Sequence, residues 1–410
     1  MTKCFGARKF DLQKHFTAWG VAMGKHSVEY GIRRTACFVA SWRKILASLA
    51  CVVVVPVAYA DFATGAAAMK AGDYATALRE FQAAAAQGEA RAQNDLGVLY
   101  ERGLGVRQDF VEAAAWYRKA ADAGFLQAQT NLGYLHESGQ GVARDYGKAL
   151  ALYQQAAERN WAQAQNNLGS LYEKGLGVQR DYARAMLWYR KAADQGLAQA
   201  QTNVGYMLET GRGLPRDDIG AMNWYRKAAE QGFAQAENNI GALYERGRGV
   251  TADLNSAISW YRKAVDKGNA QAQTNLGFLY AAGRGLPRDD AKAVDLFRLA
   301  AAQGFAQAQS NLGFMLAEAR SVPRDYAAAK VLYEKAIAQG LAQAMMHLAV
   351  LYEKGRGVAQ DNAVALTWYR RSAEAGHRPA SQRLFAVYTN GELGEQVDPV
   401  RAKLWADRVQ

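Results

Sequence analysis

Glycine returns every 36 residues along this chain, at Gly97, Gly133, Gly169, Gly205, Gly241, Gly277 and Gly313, with Ala349 in the eighth place. A second series in the same phase runs Gly88, Gly124, Gly196, Gly232, Gly268, Gly304, Gly340 and Gly376, with Asn160 as the one substitute. A third is acidic, from Asp73 through Asp109, Asp145, Asp181, Asp217, Asp253, Asp289 and Asp325 to Asp361. No insertion breaks the phase between Asp73 and Gly376. Three interlocked series of one period exclude a single irregular core. Each unit must fold in the same way and meet its neighbours in the same way.

The unit at residues 161–196 reads WAQAQNNLGSLYEKGLGVQRDYARAMLWYRKAADQG. Ala164, Leu168, Leu171 and Tyr172 fall at i, i+4, i+7 and i+8, the spacing of an amphipathic helix. Gly175 and Gly177 end that helix and turn the chain, because glycine accepts positive φ without a Cβ clash. Asp181 is placed to cap a second helix by accepting the orphan N–H groups of its first turn. Ala185, Trp188, Tyr189, Ala192 and Ala193 are the expected inner face of that helix, and Gly196 its left-handed C-terminal residue. Gly169 lies inside the first helix, where glycine costs about 1 kcal/mol relative to alanine. Repeating that cost implies a close helix–helix approach, with rings of the Trp188 kind beside it. No strand pattern appears after residue 60. The chain reads as a stack of antiparallel helix pairs: a divergent capping pair over 61–88, eight regular repeats over 89–376, and a more polar capping pair over 377–410 that keeps Trp405 at the Trp368 place.

The consensus AxAQxNLGxLYExGxGVxxDxxxAxxWYxKAAxxG resembles the Sel1-like repeat, a relative of the tetratricopeptide repeat. The resemblance covers 61–376 well and the last 34 residues loosely. It implies an all-α, right-handed superhelical α-solenoid whose first helices line a concave face. Departures are local: Ala319-Arg320-Ser321-Val322 lacks both loop glycines, and Met345-Met346-His347 replaces a polar triplet. A second period of 72 residues is also visible. Thr130-Asn131, Thr202-Asn203 and Thr274-Asn275 alternate with Asn166-Asn167 and Asn238-Asn239, and GRGLPRDD occurs at both 211–218 and 283–290. Duplication of a two-repeat block accounts for it.

Half of the 410 residues are hydrophobic, yet the mean hydropathy is −0.27, which excludes a multispan membrane protein. The formal charge of +12 suggests nucleic acid until it is located: residues 1–60 carry +7 of it, so no nucleic-acid partner is expected. All three cysteines (Cys4, Cys37, Cys51) also lie there, leaving no Cys-based zinc site or thiol nucleophile afterwards. The uncharged run 45–60 follows Arg43 and Lys44 and ends in Ala58-Tyr59-Ala60. This reads as a secretory signal cut between Ala60 and Asp61, with Met23 a plausible true start. The alternative is an inner-membrane anchor, but the run is shorter than the roughly 18–20 residues a spanning helix needs, and Pro56 interrupts it. A periplasmic or secreted bacterial protein is expected. The 15 asparagines after residue 60 form no N-x-S/T sequon, which favours a periplasm over an endoplasmic lumen.

Little in the repeats suggests chemistry. His136, His347 and His377 have no partner at ligand spacing, and neither GxSxG nor a Walker A sequence occurs. Helix capping and dipole interaction account for Asp217-Asp218 and Asp289-Asp290. The Tyr-Arg-Lys triplets, such as Tyr189-Arg190-Lys191, give a solvated outer face or a ladder for an acidic envelope polymer. No cofactor, metal or enzymatic activity is expected. Secreted Sel1-like proteins linked to β-lactam binding or hydrolysis carry cysteine pairs in every unit, which this chain lacks. Related secreted repeat proteins act in envelope polysaccharide export, in signalling with a membrane sensor kinase, and in host contact. The resemblance therefore implies a scaffold for a protein partner, with an envelope polysaccharide assembly or a sensor protein as the candidates. Polysaccharide or peptidoglycan binding, or a β-lactam-interacting protein, is the alternative. The expected groove carries Tyr134, Tyr206, Phe278 and Phe314 beside a carboxylate stripe of Glu101, Glu137, Glu173, Glu209 and Glu245, with Ala281 and Ala317 interrupting it before Glu353. In the competing reading, those glutamates only cap the GxG turns and the aromatics only fill gaps between helices.

Overall fold

The computed structural model describes residues 62–408. The leader, the expected cleavage site at Ala60–Asp61 and all three cysteines lie outside the described residues. Among those described, every regular element is a helix. α1 (Phe62–Ala71) and α2 (Tyr74–Ala86) form the first pair. Eight regular pairs follow: α3 (Ala90–Arg102) with α4 (Phe110–Asp122), α5 (Leu126–Ser138) with α6 (Tyr146–Glu158), α7 (Ala162–Lys174) with α8 (Tyr182–Asp194), α9 (Ala198–Thr210) with α10 (Asp218–Glu230), α11 (Ala234–Arg246) with α12 (Leu254–Asp266), α13 (Ala270–Ala282) with α14 (Asp290–Ala302), α15 (Ala306–Ala317) with α16 (Tyr326–Ala338), and α17 (Ala342–Lys354) with α18 (Asn362–Glu374). α19 (Arg378–Asn390) and α20 (Pro399–Asp407) close the stack. Each helix packs most heavily on its partner and next on a helix of the adjacent pair, the nearest-neighbour pattern of an all-α solenoid.

The boundaries form where the sequence demands special backbone. Gly175 takes φ 71° at the end of α7, and Gly177 takes φ 68°. A Cβ on Gly177 would stand 2.6 Å from the carbonyl of Tyr146, so this loop presses on the preceding repeat. Asp181 caps α8 by accepting from Arg184 N at 2.9 Å, while its own N–H donates to Tyr172 O at 2.9 Å and ties the loop to the first helix. At the far end Gly196 takes φ 91° and Leu197 N–H reaches back to Ala192 O at 3.2 Å, completing the Schellman motif. Asn160 holds the corresponding place with φ 64°.

The mid-helix glycines do permit close approach, but the ring that fills the space is not the expected one. A Cβ on Gly169 would lie 2.8 Å from the Tyr189 ring; Gly205 faces Tyr225 at 2.6 Å and Gly241 faces Tyr261 at 2.7 Å in the same way. Tyr189 is fully buried, whereas Trp188, one residue away and about 100° around the helix, is only half-buried and lies under the Lys191 ammonium, 4.2 Å from the ring centroid. Met186 is also buried in α8, while Trp188 packs only partly against the core. The Tyr-Arg-Lys triplets therefore divide, with Tyr189 in the core and Arg190 and Lys191 exposed.

The 72-residue alternation has a physical counterpart. Asn131 Nδ2 donates to Asn94 Oδ1 at 3.1 Å, Asn203 to Asn166 at 2.8 Å and Asn275 to Asn238 at 3.0 Å, each bond crossing from one repeat to the next. At the intervening junctions threonine stands in the accepting place, and Thr130 and Thr202 bond their own helix backbone. The asparagine bonds thus join the repeats two by two.

Two predictions follow from the packing. Gly169→Leu should destabilise by about 3 kcal/mol or more, since a branched side chain must enter the space of the Tyr189 ring. Gly169→Ala should cost far less, as Ala349 is accommodated beside Tyr369; urea melts of the two variants check both. In the loop without glycines, Ala319 and Ser321 take φ 53° and 58°. Ala319→Gly and Ser321→Gly should each raise stability by about 1 kcal/mol by relieving the Cβ clash, readable as an increase in Tm.

Candidate functional site

The expected groove residues sit on the first helices of successive repeats. Those helices also touch one another directly, α11 with α13 and α15 with α17. Tyr134 is 48% exposed, Tyr206 38% and Phe278 50%, although neighbouring apolar positions such as Leu132, Leu135, Leu276 and Leu279 are buried. Phe314 is half-buried. The aromatics therefore form a row of open rings along one face.

The glutamates have a different role. Glu101, Glu137, Glu173, Glu209 and Glu245 are all half-buried. Each accepts a hydrogen bond from the tyrosine seated on its own repeat's glycine: Tyr117 at 2.5 Å, Tyr153 at 2.9 Å, and Tyr189, Tyr225 and Tyr261 at 2.8 Å. In three of them the other oxygen holds an arginine from the next repeat's loop. Arg212 donates to Glu173 at 2.8 Å, Arg248 to Glu209 at 3.1 Å and Arg284 to Glu245 at 3.2 Å. Burial, together with the adjacent carboxylate, pushes each of these tyrosine hydroxyls far above its ordinary pKa, so they remain donors at any physiological pH. The stripe is an internal clamp, and over Glu173, Glu209 and Glu245 its charge is met by arginine.

The paired aspartates likewise do more than cap. Asp217 caps α10 through Gly220 N–H at 2.8 Å. Asp218 instead accepts from Arg216 at 2.6 Å and from Arg248 of the next repeat at 2.9 Å. Asp290 does the same with Arg288 and Arg320, and the two guanidinium groups hold its carboxyl far below the usual range.

Among the eight regular pairs the clamp is broken in two neighbours, α13–α14 and α15–α16. Ala281 and Ala317 replace its glutamates, and Phe297, without a hydroxyl, sits on Gly277. Arg320 stands where an arginine would meet a carboxylate at 281; it turns onto Asp290 and donates to Ala281 O at 2.8 Å. A pocket of about 320 Å3 opens there, lined by Phe278, Phe297, Phe314, Met315 and His347, with Asn311 and Gln343 among its polar groups. Tyr333 stacks on His347 with centroids 5.3 Å apart, and Phe314 lies 5.5 Å away. Burial, and secondarily His377, pulls the His347 imidazole down to about 4. The structure thus brings Phe278 and Phe314 together and leaves Tyr134 and Tyr206 in open stretches. The sequence carries every sign of the pocket, in Ala281, Ala317, Ala319-Arg320-Ser321 and Met345-Met346-His347, but only folding places these departures at one spot.

Among the described residues no group of three or more His, Cys, Asp or Glu side chains could hold a metal ion, and no helix is long and apolar enough to cross a membrane. Comparison with known proteins fixes the family. The Sel1 repeat model matches residues 90–125, 126–161, 162–197, 198–233, 234–269, 270–305, 306–341 and 342–377. The chain belongs to the Sel1 repeat family. It is similar to the crystal structure of a protective antigen present in uropathogenic Escherichia coli strains, at 33% identity and a TM-score of 0.53 over 81% of this chain and 79% of that one. A Sel1 repeat protein from Oxalobacter formigenes is 34% identical with a TM-score of 0.54, covering 58% of this chain and 95% of its own. No curated protein matches the sequence. Sel1 repeats, like tetratricopeptide repeats, generally mediate protein–protein interaction and are typically non-catalytic.

The depressed His347 pKa gives a signed prediction. The unfolded chain takes up a proton near pH 6.5 and the folded chain near 4, so this contribution to stability is complete above 6.5 and lost as pH falls towards 4. His347→Asn should flatten the stability profile over that window relative to the native chain, by on the order of 2 kcal/mol. Urea melts at pH 7, 5.5 and 4.5 compare the two.

Proposed function

We propose that this Sel1 repeat protein is a non-enzymatic scaffold of the bacterial cell envelope that binds a protein partner along the face built by its first helices. The observation that carries the reading is the row of exposed rings, Tyr134, Tyr206 and Phe278, in helices whose other large apolar side chains are mostly covered. A folded chain gains nothing from leaving such rings in water, whereas aromatic anchors dominate binding energy at interfaces. Because Glu137, Glu173 and Glu209 are engaged within the array, recognition rests on the rings and on the amides between them rather than on a carboxylate stripe.

Placement outside the cytoplasm rests on the leader, with its Ala58-Tyr59-Ala60 site and a mature N-terminus at Asp61. The description of the Escherichia coli relative as a protective antigen is consistent with that placement. Mass analysis of envelope protein should find the chain beginning at Asp61; an intact leader would make it an anchored protein instead.

The binding face is tested by crosslinking in the native cell, identifying the trapped partner, and measuring its affinity for variants. Tyr134→Ala/Tyr206→Ala should weaken capture at least tenfold with an unchanged melt. Glu137→Gln/Glu209→Gln should lower Tm, with much less effect on affinity. Full affinity in the tyrosine variant would rule out this face.

A further inference from the structure

We infer that the pocket between α13, α15 and α17 is the anchor site of that face, and that it receives an uncharged aromatic side chain carried on a peptide segment of the partner. The inference rests on the binding-face reading and adds the place and chemistry of its strongest contact.

The pocket is where a packing element has been removed. In the pairs α3–α4 through α11–α12 a glutamate and a tyrosine hydroxyl occupy the space above the mid-helix glycine. In α13–α14 both are absent, and no other described residue fills the space. What remains is apolar: Phe278, half exposed at the mouth, with Phe297, Phe314, Met315 and the stacked His347 as walls. The volume of about 320 Å3 falls at the small end of ligand sites, which run from roughly 300 to 1,000 Å3, and suits one ring better than an extended molecule.

The charges exclude a cationic guest. Arg320 lines the pocket and is shared with Asp290, the glutamates are gone, and His347 is uncharged near neutral pH. An ammonium would lose its hydration with no opposite charge to meet. An aromatic ring gains edge and face contacts with three phenylalanines and a sulfur contact with Met315. The polar groups favour a guest attached to a backbone. Asn311 Oδ1 accepts from Gln307 at 3.1 Å, which leaves the Asn311 N–H groups able to donate to a peptide carbonyl. Phe278 also continues the row of Tyr134 and Tyr206 at the same 72-residue spacing, so a peptide lying along that row reaches the pocket.

The test is a titration of the purified protein carrying 13C-methyl methionine, with Met315 as reporter and Met315→Leu to assign its signal. The probe is acetyl-Ala-Ala-Phe-Ala-Ala-amide. A saturable shift of Met315 is expected, at least tenfold weaker when lysine replaces phenylalanine. The variant Ala281→Glu/Phe297→Tyr restores the clamp, with Arg320 at hand for the new carboxylate, and should abolish the shift without lowering Tm. Should that variant fold poorly, Phe278→Ser at the exposed mouth should weaken binding at least fivefold. The proposal is overturned by no saturable shift, by equal affinity for the lysine peptide, or by unaltered binding in the clamp-restored or Phe278→Ser variant. It is also overturned if benzyl alcohol or methyl glucoside binds as tightly as the peptide, which would mark a small-molecule or sugar site. None of these outcomes touches the wider binding-face reading, which is decided by partner capture in the Tyr134/Tyr206 variant.

Discussion

A tyrosine ring resting on the bare backbone of a glycine sets the distance between the helices of most pairs in this protein. The contact exists because Gly169 and its equivalents have no Cβ, and it places the Tyr189 hydroxyl beside a glutamate at the end of the first helix. That glutamate then holds an arginine from the following repeat. One packing decision thus fixes the geometry within a repeat and across the junction to the next. Hydrogen bonds to a charged group are worth roughly 1.5–3 kcal/mol, so repetition along the array supplies much of the stability that a stack of small, alanine-rich helices cannot draw from burial alone.

The junctions are held by more than this clamp. Gln165 donates to Ala157 O in the preceding repeat at 3.1 Å and accepts from Gln195 in its own at 2.7 Å. One repeat exchanges that amide pair for Lys267 and Glu237 at 2.6 Å. The asparagine bonds alternate from junction to junction, whereas the arginine clamps at Glu173, Glu209 and Glu245 cross consecutive ones. Duplication of a two-repeat block gives the pattern its origin, and the Asn203–Asn166 type of bond gives it a physical use. At the C-terminal end Arg383 of α19 supplies the guanidinium for Glu353 at 2.8 Å and also meets Glu392, while Glu395 of the capping segment meets Arg370 of α18.

The period, the helix boundaries and the caps were legible in the sequence because each depends on a residue type at a fixed place: glycine where φ is positive, aspartate where N–H groups lack partners. The identity of the ring on Gly169 was not. Trp188 and Tyr189 are adjacent in sequence, and only the crossing of α7 and α8 decides which faces inward. The partners of the glutamates were hidden for a related reason. Their tyrosine lies 16 residues on and their arginine 39 residues on, so neither partner appears when units are aligned on a period of 36. Ala281, Ala317 and Met346-His347 were visible as separate departures, but their convergence on one pocket belongs to the packing of three first helices.

The central claim is that Glu173 links the core of one repeat to the loop of the next. It is tested most directly by a double-mutant cycle between Tyr189→Phe and Arg212→Met, residues that meet only through that carboxylate. The account predicts non-additive unfolding free energies, with a coupling of about 0.5–3 kcal/mol that vanishes when the cycle is repeated in a Glu173→Gln background. Additivity within about 0.3–0.5 kcal/mol in the native background would contradict it and reduce the carboxylate row to surface decoration.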